Sequence, residues 1–359
     1  MPVIMRTLFL AFSILTSLVS LVAAAQSTAA PKLIPNLFYD YPSSDVNNLV
    51  LGRTCTTVHA GPLALTCNPA LLADEEKKTL RVNFSLDPNF FKLMDARQSI
   101  NNSEPEPVIN EWLKYKEPLV SQSTSEIWFQ NNWWAVGVTP VRFEYASIVR
   151  NPSYPEISAL LLKESEVMGK AGFTSKENSN FSFGLQTRYV TTDYVQNTFS
   201  LLDVIANPSL VEFQQQKALY LEPGAAYHLN KETETIVTAM LSNLAVYRSG
   251  SAQPVTGSIV DLGFSTAPAF AKGRLKTTTH FTTREDISNF SERWRIGALY
   301  DFGPVQSSVD TTLHYFGIGA NTRVDSLTLG LAYRYQEIVH SDWENSQWST
   351  WSFEMGLIF

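Results

Sequence analysis

The sequence predicts an all-β fold, a transmembrane antiparallel β-barrel of about 12–14 strands at roughly ten residues per strand plus loops, with short helical inserts; an N-terminal hatch or plug is added by the family resemblance described below. Three observations carry this reading. The first is the carboxyl terminus, where Trp351, Phe353, Met355, Leu357 and Phe359 place a large apolar side chain at every second position, with mostly small or polar residues between. Alternate side chains of a strand point to opposite faces, so this is a strand with one apolar face that ends on an aromatic. The second is the amino terminus. Arg6 precedes an uncharged apolar run, Thr7 to Val22, which meets Ala23-Ala24-Ala25 before Gln26, the pattern of a secretory signal peptide with an A-x-A cleavage site. Read instead as an anchor helix, the run is short and its small-residue exit is wrong. The third is composition: 12% of the residues are aromatic and 17% charged, and nowhere else do ~18 consecutive apolar residues occur. An exported chain of this kind with no further spanning helix fits a barrel, which crosses lipid with strands.

These signals divide the chain into a signal peptide over 1–25, a periplasmic lead-in and hatch segment over 26–78, and an outer-membrane barrel over 79–359. The formal charge of −7 argues against nucleic acid as a partner. Residues 26–50, rich in Ser, Pro, Asn and Ala, read as irregular. Cys55 and Cys67 are the only cysteines. In an oxidising periplasm they pair and close a short loop; the alternative is two free buried thiols. His59 beside them does not complete a metal site.

A short strand is expected over Thr79 to Leu86, then helical stretches from Asp87 to Ile100 and Pro105 to Pro118. Strands follow at Ile127 to Gln130, Trp133 to Ile148 and Asn180 to Val190, the last two separated by a helix over Tyr154 to Gly169. Another helix, about Leu201 to Gln216, precedes a strand over Ala218 to Leu229. Beyond it a regular meander reads as Glu234 to Tyr247, Gly257 to Thr266, Ala269 to Thr282, Glu292 to Phe302, Val305 to Gly317, Asp325 to Gln336 and Trp348 to Phe359.

Within the meander, Trp294, Ile296, Ala298, Tyr300 and Phe302 share one face, and Leu327, Leu329, Leu331, Tyr333 and Tyr335 another. Val309, Leu313 and Tyr315 are read as apolar partners opposite Gln306, Ser308, Asp310, Thr312 and His314. A soluble sandwich would turn the apolar face to its core, whereas a membrane barrel turns it to lipid. Periodicity alone does not separate these; export and the aromatic terminus favour the barrel. The lumen-facing charged set is then Lys272, Arg274, Lys276, Arg295, Asp310 and Arg334, with Asp301 and Glu222. It is either a salt-bridged plug or a basic path for an anionic solute.

In Trp133 to Ile148, Trp134, Val136 and Val138 alternate before Pro140, but Val141, Phe143 and Tyr145 alternate after it. The phase slips by one residue across Thr139-Pro140. Either a β-bulge, where Pro is tolerated, or a strand end and loop produces such a slip.

One segment goes beyond fold class. Asn68-Pro69-Ala70, followed by Leu72-Ala73, resembles the amino-terminal signature of the long-chain fatty acid transporter (FadL) superfamily, which includes PorV-like and TraF-like barrels. Val260-Asp261-Leu262-Gly263-Phe264 and Arg295 through Gly303 are similar to strands of PorV-like relatives. The departures are Arg53-Thr54-Cys55 and Leu71, where glycines are usual, and the cysteine pair itself. The resemblance implies about fourteen strands, a lumen occluded by the hatch, and a kinked strand that opens the wall sideways. Thr139 and Pro140 are the candidates for that kink. Phe359 resembles the signal read by the barrel-insertion machinery.

The chemistry of an enzyme is not expected. His228, His280 and His314 fall on polar faces of separate strands, and His340-Ser341-Asp342 points its neighbours to opposite faces. No cofactor and no metal is expected. The implied role is passive passage of a small hydrophobic or amphipathic, fatty-acid-like compound across the outer membrane of a Gram-negative bacterium, in contact with outer-membrane lipid. The alternative is a PorV-like adaptor barrel that binds partner proteins.

Overall fold

A computed structural model of the chain describes residues 45–58, 66–74, 78–91, 119–151, 156–175, 180–200, 203, 213–250, 258–283, 290–311, 315–338 and 346–359. The signal peptide, His59, the second helical insert, His314 and His340-Ser341-Asp342 lie outside these residues.

The strands, in chain order, are β1 (Thr79–Leu86), β2 (Leu119–Gln130), β3 (Trp134–Asn151), β4 (Glu156–Thr174), β5 (Phe181–Ser200), β6 (Gln214–Asn230), β7 (Thr235–Ser242) and β8 (Leu244–Gly250). They continue as β9 (Ile259–Thr266), β10 (Ala269–Phe270), β11 (Gly273–Thr282), β12 (Trp294–Asp301), β13 (Val305–Thr311), β14 (Tyr315–Val324), β15 (Leu327–Ile338) and β16 (Ser346–Ile358). These segments form a closed antiparallel barrel of fourteen strands. β7 and β8 are two halves of one strand, broken at Asn243 with φ +60°. β10 continues β9 along β11.

Closure comes from β1 pairing with β16 over Thr79↔Ile358 to Leu86↔Trp351. The backbone N–H of Phe359 donates to the Lys78 carbonyl at 2.9 Å. A closed ladder lets strand N–H and C=O groups pair with neighbouring strands inside lipid, apart from local breaks such as bulges. Short turns such as Asp325-Ser326 lie at the end where the carboxyl terminus sits, the periplasmic end in barrels of this type.

The alternation resolves what the sequence left open. Phe353 is 52% exposed and Met355 56%, while Ser352 and Glu354 between them are buried. The pattern repeats at Ile296 against Arg295 and at Leu329 against Thr328. An apolar outside around a polar, filled inside is the inverse of a sandwich, and it makes the chain an outer-membrane β-barrel.

Several elements differ from expectation. Of the helix expected over Tyr154 to Gly169, the described part, Glu156 to Gly169, is not helical: β4 runs through it in unbroken register with β5, Glu156↔Ser200 to Thr174↔Ser182. Its Leu, Lys, Glu and Ala favour helix as isolated residues, but two long neighbouring ladders override that weak bias. Gln214 to Gln216 likewise belongs to β6, and of the preceding insert only Asp203, helical, and Phe213, outside any helix or strand, are described. Val305 to Gly317 is two strands, β13 and the start of β14. Gly317 and Gly319 sit within β14, facing inward. Ala269 to Thr282 is interrupted by a turn at Ala271, φ +51°. Tyr315 faces the lumen and is buried, not part of the outer apolar face. Residues 46–50, expected to be irregular, are helical.

Candidate functional site

The lumen is filled by two short stretches of chain. The first is α1 (Val46–Leu51) with a 3-10 turn, Gly52–Thr57. Asp45 caps α1, its carboxylate accepting from the Asn48 N–H at 3.0 Å. Gly52 at φ +53° ends it, a conformation in which side-chained residues are strained. The second stretch is a 3-10 turn, Pro69–Asp74, that carries the Asn-Pro-Ala motif. A Cys55–Cys67 disulfide, Cα atoms 5.7 Å apart, joins the two.

The first half is held by directional, charged contacts. The Arg53 guanidinium grips the Asp261 carboxylate, with Nε 3.0 and 3.1 Å from its two oxygens. His280 Nε2 lies 3.1 Å from the same carboxylate. Thr54 donates to Asp310 at 2.6 Å, and Asn47 to Gln306 at 2.6 Å. The N–H of Val46 donates to Glu354 at 3.2 Å, and Glu354 also pairs with Arg81. The Tyr315 hydroxyl donates to the carbonyls of Leu49, at 2.9 Å, and Val50. Arg295 and Arg334 stack on the Tyr315 ring at 5.0 and 4.9 Å.

The second half rests mainly on shape. Gly172, Gly184 and Gly224 stand side by side on β4, β5 and β6, since Gly172 pairs with Gly184 and Gly184 with Gly224. A methyl added at any of the three would strike Asn68 or Pro69. Asn68 accepts from the Ala70 N–H at 3.0 Å and holds the turn closed. Leu72 then packs against Trp128, Ala135 and Met168, and Leu71 against Ala226 and Ile236. Polar ties are fewer, chiefly Lys170 Nζ to the Thr66 carbonyl at 2.5 Å.

Beside this half the wall is irregular. On β2, Ile127 pairs with Val138 and Ser125 with Val141, so Thr139 and Pro140 oppose Glu126 alone. On β4, Thr139 pairs with Glu166 and Arg142 with Glu164, leaving two residues opposite Ser165. This is a β-bulge rather than a strand end, and it turns both Pro140 and Val141 outward. Above the hatch a ladder of ions lines β3 to β6. Arg142 lies 2.7 Å from Glu164 and 3.7 Å from Glu166, and Arg188 lies 3.7 Å from Glu166 and 3.4 Å from Glu222.

The charged residues expected in the lumen divide into two groups. Arg295, Asp310 and Arg334 face it, against the first half of the hatch. Lys276 faces it too, 3.1 Å from Glu234. Lys272 does not: it sits in the exposed turn after β10. Arg274 is at the rim, 46% exposed in its side chain, paired with Glu234. Asp301 caps the next turn, accepting from the Gly303 N–H at 2.9 Å. The Arg53–Asp261–His280 cluster and the glycine row were not foreseen. His280 and the Asp261 motif were noted on separate strands, and only the register between β9 and β11 brings them together.

This architecture has counterparts among solved structures. A monoaromatic hydrocarbon channel, the TodX deltaS2S3 mutant, superposes with a TM-score of 0.51 over 90% of this chain and 99% of its own, at 11% identity. The chain has the FadL-like barrel fold. The Ralstonia pickettii toluene transporter TbuX (TM-score 0.47, 11% identity, 90% and 99% covered) and a Pseudomonas aeruginosa FadL homologue (0.46, 11%, 89% and 99%) also match. No family model matches the sequence, and no curated protein does. The likeness therefore rests on shape: fourteen strands and a filled lumen.

Proposed function

We propose that the barrel passes a small hydrophobic or amphipathic compound across the outer membrane, passively and without a cofactor. The observation that carries this reading is the bulge at Thr139-Pro140, beside the half of the hatch that is held mainly by packing. A bulge ends regular pairing locally, and Pro140 cannot donate to the ladder, so the wall is weakest there. The route runs past Asn68, Pro69 and Ala70, whose turn would lift from the glycine row, and leaves through the wall over Pro140. The fold shared with TodX and TbuX, described as a monoaromatic hydrocarbon channel and a toluene transporter, supports the substrate class.

Purified barrel in proteoliposomes tests this. Uptake of a short-chain lipophile should exceed that of empty vesicles, and deletion of Pro140, which restores strict alternation, should abolish the excess. Equal uptake with and without Pro140 would remove the bulge from the route.

The adaptor reading is favoured by a separate observation. β3 to β6 are 18, 19, 20 and 17 residues long, against about ten needed to span the membrane, so this wall extends beyond the bilayer as a free-standing sheet. A stoichiometric protein co-purifying in mild detergent, and lost when those strands are shortened, would favour it. Phe359 is proposed as the insertion signal; its removal should lower the folded yield.

A further inference from the structure

The inner wall beside the bulge is acidic. On β2 to β6 it carries Glu126, Glu144, Glu164, Glu166 and Glu222, against Arg142, Lys170 and Arg188 as the cations. Five carboxylates thus face three positive groups, and the excess is not spread evenly. Glu164 makes a close pair with Arg142 at 2.7 Å and accepts from Thr192 at 3.0 Å. Glu222 accepts from the Asn243 N–H at 2.9 Å and from Gln186. Glu166 differs. It is 2% exposed, and neither carboxylate oxygen has a hydrogen-bond donor; Arg142 and Arg188 each stand off at 3.7 Å.

Thr139 provides an independent second sign. It is the bulge residue paired directly across from Glu166, fully buried and facing the same space, and its hydroxyl also has no partner. A buried hydroxyl and a buried carboxylate without donors cost free energy unless a donor completes them. The carboxylate only accepts, whereas the hydroxyl both accepts and donates, so a donor is the partner that serves both, and the surplus of carboxylates selects a positive one. The carboxylates here alternate with guanidinium groups, and among the described residues no acidic cluster has metal-binding spacing. A few ångströms away the outer face of β3 is apolar at Val136, Val138 and Val141.

We infer that Thr139 and Glu166 form a headgroup site for a cationic amphiphile, an alkylammonium whose N–H groups bond to both residues while its chain leaves over Pro140 toward lipid. The inference rests on the transport reading for its route, and it narrows the cargo from any lipophile to an amine-bearing one.

The test is equilibrium binding of three probes with the same chain, decylamine, decanol and decanoate, to the full-length barrel in zwitterionic detergent at neutral pH. Decylamine should bind most tightly. Glu166→Gln should weaken it about tenfold or more, the loss of a charge-assisted hydrogen bond, and leave decanol unchanged. Thr139→Val should weaken decylamine less and carries the test alone if Glu166→Gln does not fold. Tightest binding of decanoate, equal binding of all three, or decylamine binding indifferent to both variants overturns the site. Proteoliposome uptake of decanol, run in parallel, separates the two readings. Decanol flux without decylamine preference sinks the site and spares the route, while decylamine binding without flux of any probe supports the site and sinks the route.

Discussion

The two halves of the hatch are held in opposite ways. Residues 45–57 are tied by directional bonds, many of them charged, to β9, β11, β13, β14 and β16. Residues 66–74 lie against the glycines of β4 to β6 and against apolar side chains of β2, β3, β4, β6 and β7. Charged bonds inside a barrel are all-or-none, because breaking one leaves an unpaired ion in a dry interior. A shape contact gives way gradually, losing dispersion and burial by degrees. Under the transport reading proposed above, the first half would be the fixed part of the plug and the second the part that a permeant displaces. The disulfide between Cys55 and Cys67 limits how far that displacement travels. The bulge at Pro140 lies beside the displaceable half.

Substitutions that attack each half should separate them. The largest effect on stability belongs to Arg53→Ala. It leaves Asp261 buried with only His280 opposite, at a cost of about 3–5 kcal/mol in urea-unfolding midpoint measurements. An unchanged midpoint would make the two halves equivalent. Next comes Cys55→Ser, which reopens a loop with a sequence separation of 12 residues; loop-closure entropy puts the loss near ~3 kcal/mol. Single-channel recording of this variant should also show more frequent openings, since the second half is no longer tethered to the first.

Gly184→Leu should cost about 1–3 kcal/mol by overpacking, because its side chain occupies the place of Pro69. Its larger signature is functional: a raised resting conductance, with the Arg53–Asp261 contact intact. Closed channels in this variant would mean that the glycine row does not seat the hatch. The smallest effect on stability belongs to deletion of Pro140, which should leave the unfolding midpoint nearly unchanged while lowering lipophile uptake. A large loss of stability there would mark the bulge as structural.

Local periodicity made much of the fold legible. The closing strand, the face pattern of β12 and β15, and the phase slip at Thr139-Pro140 all follow from side chains alternating every two residues, a property of the strand itself. The same local reasoning misjudged β4, whose Leu, Lys and Glu carry helix propensity, and β14, whose start it joined to β13 as one strand over Val305 to Gly317. In both, the deciding interactions come from elsewhere in the chain. β4 is a strand because β3 and β5 supply its hydrogen bonds. Gly317 and Gly319 are glycines because α1 presses on them, with Val46 and Val50 where their side chains would be.

The sequence by itself determined that the strands have one apolar face and that β3 changes phase at Pro140. Only the tertiary structure decided which face turns inward, that Arg53, Asp261 and His280 meet, that three glycines from separate strands form one seat, and that Thr139 stands opposite Glu166. The physical reason is range. Alternation is written within a few neighbouring residues, whereas these contacts join residues up to 208 apart, and they exist only once closure of β1 on β16 has set the register of the barrel.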